Sequence, residues 1–259
     1  PTLLRGQALA QSVSDKKLVA VVGSHGKTTT TAMLVHLLGY ADVGFGYVVG
    51  GFFDEAGVPS ARWSHDQWVI AEVDESDGTI ESFEPEITVV LNCDLDHVDR
   101  YEDLDDMKAA YGRLFSRTKG QVLVPHGHAL QNLANEEASC EVATFGPGGC
   151  FDAEAEETDR GLHVIRNTDD GEVEESVRAL GDFNGWNAIA ALGVCQAVAG
   201  QAPIGRLGSF PGLKRRQVVL CDSPERMIVE DYAHHPVELA AILGHFRNMS
   251  PERHLRVVF

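Results

Sequence analysis

Short runs of apolar, β-branched residues alternate along this chain with longer stretches whose apolar positions recur at helical spacing. Leu18–Val22 (LVAVV) carries no polar register at all, so it reads as a strand buried on both faces. Thr28–Leu38 follows, with Met33, Leu34, Leu37 and Leu38 on a helical repeat. Further strands are expected at Trp68–Val73, Ile87–Leu91 and Gln121–Val124, and a helix over Asp103–Phe115. Strands alternating with helices imply an α/β fold, a mostly parallel sheet with helices flanking it on both sides.

From Glu141 to Val177 the pattern shortens. The segments EVATF, CFDAEAEE, GLHVIRN and EVEESV are separated by Gly, Asn and Asp, which predicts a small antiparallel β meander at the sheet edge. An alanine-rich helix is expected over Asn184–Val198, and Gly200–Gly212 has the composition of a hinge or domain boundary. Strands at Gln217–Cys221 and Met227–Glu230, a helix from Pro236 to about Phe246, and a terminal strand at Leu255–Phe259 complete the reading. The chain therefore divides into residues 1–204, one α/β domain, and residues 205–259, the beginning of a Rossmann-like α/β segment. Because it starts at Pro1 and ends inside an apolar run, it reads as a piece of a longer protein.

Composition narrows the function classes. With 259 residues, 44% hydrophobic and 23% charged, the chain is neither a disordered tail nor a disulfide-stapled mini-protein. Lys and Arg total 21 against 39 Asp and Glu, a net charge of −18 that repels phosphate backbones, so no nucleic-acid partner is expected. Any phosphate ligand must be met by bases gathered locally. The five cysteines show no CxxC spacing and read as reduced thiols. No apolar run approaches the roughly 20 residues of a membrane helix, and no signal peptide is visible, so no membrane partner and a cytoplasmic location are expected.

Chemistry concentrates at four places. Gly23, Ser24, His25, Gly26, Lys27, Thr28 and Thr29 lie between the first strand and its helix, where backbone N–H groups and a helix N-terminus cradle phosphate. There Lys27 would reach the terminal phosphates and the Thr28 hydroxyl would ligate Mg2+. The spacing is GxxGKT, with Val21 where the longer loop has its first glycine. Glu72, Asp74, Glu75 and Asp77 end the Trp68–Val73 strand, and four acids so close call for a cation. Asn92–Asp99 ends the next strand, with His97 a candidate for a second metal. Asp231, in EDYAHHP, suits ribose hydroxyls, and Lys214-Arg215-Arg216 beside the hinge suggests a phosphate clamp.

Together these residues resemble the Mur ligases, the ATP-dependent amide-forming enzymes of peptidoglycan synthesis. The matching pieces are GSHGKTTTTAML at Gly23–Leu34, AEVDESDGT at Ala71–Thr79, DLDHVDRY at Asp94–Tyr101, GDFNGWNA at Gly181–Ala188, FPGLKRRQ at Phe210–Gln217 and EDYAHHPVE at Glu230–Glu238. The resemblance implies ATP and Mg2+ as cofactors. Lys27 would serve the phosphates, and Thr28 with Glu72 or, by the better match, Glu75 would serve one metal; His97 would serve the second. It further implies that Asn184 holds adenine, that Asp231 holds ribose and that Arg216 reaches the γ-phosphate from the following domain. Tyr111, with Lys108 nearby, stands where several relatives carry a modified lysine, which favours the alanine-adding and recycling branches. The substrates implied are UDP-N-acetylmuramate and L-alanine, joined through an acyl phosphate. The alternatives are a recycling ligase that joins UDP-N-acetylmuramate to a murein peptide, and a nucleotide-binding regulatory module without ligase activity. Phe183 stands where that branch usually has histidine, and the family's amino-terminal UDP-binding domain has no counterpart here.

Overall fold

The computed structural model describes residues 2–76, 78–95, 100–158, 161–168 and 170–258. In chain order the elements are α1 (Arg5–Ser12), β1 (Lys17–Val22), α2 (Lys27–Leu38), β2 (Phe45–Val48), β3 (Ala61–Arg62), β4 (Trp68–Glu72), β5 (Ile87–Val90), α3 (Leu104–Phe115), β6 (Gln121–Pro125), α4 (Ala129–Glu137) and β7 (Glu141–Phe145). Then come β8 (Ala153–Thr158), β9 (Gly161–Thr168), β10 (Gly171–Val177), α5 (Asp182–Ala199), β11 (Val218–Asp222), β12 (Met227–Glu230) and α6 (Pro236–Met249).

Seven strands form the central sheet in the order β3-β2-β4-β1-β5-β6-β7. All neighbours run parallel except β3, which pairs antiparallel with β2 at the edge. The fully apolar β1 lies at its centre, with Val21 beside Glu72 of β4 on one side and Val89 of β5 on the other. Chain order reverses here, β4 lying to one side and β5 to the other. The loops after β1, β4 and β5 therefore open into one crevice, the usual ligand position in such sheets.

Two layers of helices cover the sheet. On one face α2 packs between the sheet and α5, so apolar residues surround it: Met33, Leu34, Leu37 and Leu38 are all fully buried. Helix α5 is buried in turn by the three-stranded sheet β10-β9-β8, through Leu162 and Val164. On the other face α1, α3 and α4 bury Ala10, Met107, Tyr111, Leu114, Phe115 and Leu130. Asp103 caps α3, accepting from the backbone N–H of Asp105 and of Asp106 at 2.9 Å.

Two expectations need correction. Glu141–Phe145 joins the parallel sheet as β7 rather than the antiparallel meander, which comprises β8, β9 and β10 only. The Gly146–Gly149 turn, not the start of the short-segment pattern, ends the parallel sheet: Gly149 N–H donates to Gly146 O at 2.9 Å. Leu255–Val258 forms no strand, since an apolar run needs a neighbouring strand to complete its ladder. The Gly200–Gly212 segment is packed: Leu207, Phe210 and Leu213 are buried in the same core as α2 and α5. A buried pair fastens it, with Arg166 Nε 2.9 Å from Glu175 Oε1, Arg166 donating to Ala202 O and Gly205 N–H donating to Glu175 Oε2. No helix among the described residues is long and apolar enough to cross a membrane.

Candidate functional site

The loop between β1 and α2 takes its shape from two glycines in the left-handed region, Gly23 at φ 140° and Gly26 at φ 83°. A Cβ at Gly26 would lie 2.3 Å from Asn187 Oδ1, so α5 approaches the loop as closely as only glycine permits. The outer turn is braced from β5: Asn92 Oδ1 accepts from His25 N–H at 2.9 Å, and Asn92 Nδ2 donates to His25 O at 3.0 Å. Ser24 Oγ donates to Asp94 O at 2.7 Å and accepts from Asp94 N–H at 3.0 Å. The loop is thus held rigid before any ligand arrives.

Lys27 opens α2 and folds back beneath the loop. Its Nζ donates to Gly23 O at 2.7 Å and lies 3.0 and 3.2 Å from the two oxygens of Glu75. Glu75 is fully buried; burial pushes its carboxyl pKa up and the Lys27 charge opposes that shift. One cation demanded by the acidic run is therefore this ammonium. Thr28 is buried at the start of α2, and Glu72 at the end of β4 accepts from Gly50 N–H at 3.0 Å. A Cβ would meet Glu72 Oε2 at 2.5 Å from Gly50, and Thr28 Cγ2 at 3.0 Å from Gly51, so this glycine pair closes over both side chains.

Across the crevice lies Lys214-Arg215-Arg216. Lys214 N–H donates to Phe52 O at 2.8 Å, which ties the basic run to the loop after β2, and Arg216 N–H donates to Leu213 O at 3.2 Å within the run's own turn. Arg215 and Gln217 have φ of 62° and 52°, an outlying pair that aims Arg216 inward from between them. The Arg215 and Arg216 guanidiniums sit 4.9 and 5.0 Å from the Tyr232 ring. A cleft of about 680 Å³ lies between the loop and this run, lined by Lys27, Thr28, Glu72, Asp74, Lys214 and Arg216.

A second cleft of about 970 Å³ continues past Gly26 and Thr29, lined by Asn184, Trp186, Gln217 and Asp231. Asn184 is buried; its Nδ2 donates to Leu180 O at 2.8 Å and to Gln217 Oε1 at 2.9 Å, and its Oδ1 accepts from Asn187 at 3.1 Å. Asp231 accepts from Gln217 N–H at 2.9 Å and from Ala233 N–H at 2.7 Å. Helix α6 reaches the loop through Glu238, whose Oε1 lies 3.6 Å from His25 Nδ1, while the His25 and His235 rings meet tilted, with centroids 4.6 Å apart. Burial raises the Glu238 pKa, but the His25 ring, the backbone N–H groups of His234 and His235, and the Arg216 charge outweigh it and hold it at about 2.

The structure thus gathers Gly23, Ser24, His25, Gly26, Lys27, Thr28 and Thr29 with Glu75, Asn184, Arg216 and Asp231 around two joined clefts. His97, with Asp77, Asp96 and Asp99, lies outside the described residues. The bracing residues Asn92, Asn187, Gln217 and Glu238 stood inside the runs read from sequence, but none was given a role there. Asn92 alone had a local signal, its place at a strand end beside the loop.

Residues 21–195 match the Mur ligase middle domain. The chain belongs to the Mur ligase family. The UDP-N-acetylmuramate–L-alanine ligase of Bifidobacterium longum subsp. infantis is 32% identical over 289 residues, covering 98% of this chain and 56% of that protein. The chain therefore spans little more than half the length of the curated relatives it matches. Among Mur ligase structures, the UDP-N-acetylmuramate–alanine ligase MurC of Thermotoga maritima superposes with a TM-score of 0.72 at 22% identity, over 95% of this chain and 57% of that one. The MurF ligase of Thermotoga maritima in complex with ADP gives 0.74 at 19% identity, over 94% and 62%. The Mur ligase fold is thereby shared over at least 94% of this chain.

The donor set suits Mg2+. Thr28 and Glu72 are hard oxygen donors on one cleft, and Glu75 adjoins it beneath Lys27. Among the described residues no group of three or more His, Cys, Asp or Glu is placed to hold a metal ion by itself.

Proposed function

We propose that residues 1–204 are the ATP-binding unit, and residues 205–259 the beginning of a carboxy-terminal domain, of a cytoplasmic UDP-N-acetylmuramate–L-alanine ligase. The observation that carries this reading is the rigid glycine loop with Lys27 at its base, facing Arg216 across one cleft. The alanine-ligase relative named above supports the substrate assignment.

ATP would lie across both clefts. Asn184 and Asp231 line the second and would take the adenine and ribose. The backbone N–H groups of Gly23–Thr29 would take the phosphates, with Lys27 and Arg216 on the γ-phosphate. Bound through Thr28 and Glu72 or Glu75, with His97 for a second ion, Mg2+ would supply charge neutralisation on the phosphate oxygens.

The acceptor carboxylate attacks the γ-phosphorus, its P–O bond to ADP breaks, and an acyl phosphate forms. The amine of L-alanine then attacks the acyl carbon, phosphate leaves, and the nitrogen loses a proton. Lys27 contributes by exchanging Glu75 for the γ-phosphate, and Arg216 by holding an equatorial oxygen as charge spreads there.

Calorimetric titration of the chain with ATP, with and without Mg2+, tests the nucleotide site. The expected result is Mg2+-dependent binding that Lys27→Ala abolishes. Equal binding by parent and variant would overturn the assignment of Lys27.

A further inference from the structure

A side-chain amide that meets backbone groups has its orientation settled by them, and Leu180 settles the amides around it. Leu180 N–H donates to Gln217 Oε1 at 3.1 Å and Leu180 O accepts from Gln217 Nε2 at 2.8 Å, so the Gln217 amide fits one way only. Asn184 then faces two acceptors, Leu180 O at 2.8 Å and Gln217 Oε1 at 2.9 Å, and turns Nδ2 to both. Asn187 donates to Asn184 Oδ1 at 3.1 Å and keeps its own oxygen for the Thr30 hydroxyl at 3.2 Å. A hydroxyl can donate or accept, so Thr30 would follow either direction. The direction of the whole series comes from its Leu180 end.

That direction limits what Asn184 can offer. An amide carries two N–H donors and an oxygen with two lone pairs. Both donors of Asn184 are spent, and one lone pair takes the Asn187 proton. What Asn184 still has for the second cleft, which it lines, is an acceptor. A buried acceptor favours a ligand group that donates, such as an exocyclic amine, and repels a carbonyl in the same place. Gln217 acts on Asn184 twice, directly and through Leu180, since it holds both backbone groups of Leu180. Its own φ of 52° is left-handed, a strain that persists where the surroundings fix a residue from several sides. Here its amide holds Leu180 and Asn184 while its N–H donates to Asp231 Oδ2 at 2.9 Å.

We propose that Gln217 is a positioning residue that locks the Asn184 amide with only its oxygen available to the cleft, so that the site selects a purine bearing an exocyclic amine over one bearing a carbonyl. The inference rests on the nucleotide site proposed above. Without the Gln217 amide, Leu180 and Asn184 are both released, and Asn184 can turn its N–H groups to a carbonyl instead.

Calorimetric titration with Mg–ATP and with Mg–inosine triphosphate, which carries a carbonyl in place of the 6-amino group, reads the selection. The parent should favour ATP by about tenfold or more. Gln217→Met keeps an unbranched stem and removes the amide, and the preference should fall to about twofold. Gln217→Glu keeps the acceptor that faces Asn184 and Leu180 N–H, so it should weaken both nucleotides and retain the preference. Gln217→Ala serves if the methionine variant does not fold. A parent preference within about twofold, or the same preference in parent and Gln217→Met, would overturn the proposal. The lock is also read without nucleotide, from hydrogen exchange of the Asn184 side-chain amide by NMR, its signals assigned with Asn184→Asp. These protons should be protected in the parent and in Gln217→Glu, and should exchange about tenfold faster in Gln217→Met. Unprotected protons in the parent would overturn the lock. A parent that binds neither nucleotide would sink the nucleotide reading, and the exchange rates would then decide the Gln217–Asn184 lock by themselves.

Discussion

Gly26 shows how much of the site one residue can decide. Its left-handed φ of 83° and the 2.3 Å approach of Asn187 Oδ1 leave no room for a methyl group on two separate grounds. Gly26→Ala should therefore cost about 2 kcal/mol or more in denaturant unfolding, and should weaken Mg–ATP binding beyond that loss because Asn187 must move. An unchanged unfolding midpoint would show that the loop relaxes freely. The placement of Gly26 and Lys27 was legible in the sequence because it is local, fixed by a strand on one side and a helix on the other. Asn187 and Gln217 were not, because each acts through partners far along the chain: Thr30 donates to Asn187 Oδ1, and Gln217 Nε2 donates to Leu180 O. Nothing in a single sequence distinguishes such an amide from a surface one.

Elements were read best where one period dominates. The apolar β1 and the amphipathic α3 fell where periodicity put them, within a residue of Leu18–Val22 and Asp103–Phe115. Strand β7 was assigned to the wrong sheet because EVATF is short and opens a series of short segments separated by Gly, Asn and Asp, and strand direction is a property of the connection, not of the segment. Helix α6 was expected, but not its contacts with the glycine loop and β8. Glu238 meets His25 there, and His245 Nδ1 lies 3.0 Å from Glu157 Oε2, which anchors Gly181 N–H through its other oxygen. The pH dependence follows from Glu238. Its pKa is held at about 2 against an ordinary 4.5, so its stabilisation is present above 4.5 and is lost as pH falls towards 2. Glu238→Gln should cost about 2 kcal/mol at pH 7, with the gap to the parent narrowing below pH 4.5. A gap constant from pH 7 to pH 3, read from urea midpoints, would mean that Glu238 contributes only its shape.

For the whole molecule, net charge and local charge oppose each other. A chain at −18 repels a nucleotide from every direction except the cleft where Lys27, Lys214 and Arg216 face inward. Composition alone argued against nucleic acid, but could not say that the few bases converge; only the strap between Gly212 and Gln217 brings them opposite the loop. The two fields also have different ranges. At about 0.01 M salt the screening length is about 30 Å and an incoming Mg–ATP feels the acidic surface; at about 0.1 M it is about 10 Å and only the cleft matters. Added salt should therefore remove repulsion before it weakens attraction. The association rate of Mg–ATP is expected to rise between these two conditions, against the usual fall for an anion entering a basic site. Lys214→Glu should deepen the low-salt deficit, because the far field then continues into the cleft. Stopped-flow association rates across that salt range decide the matter: a monotonic fall in the parent would mean that the cleft's own bases, not the acidic surface, dominate the approach.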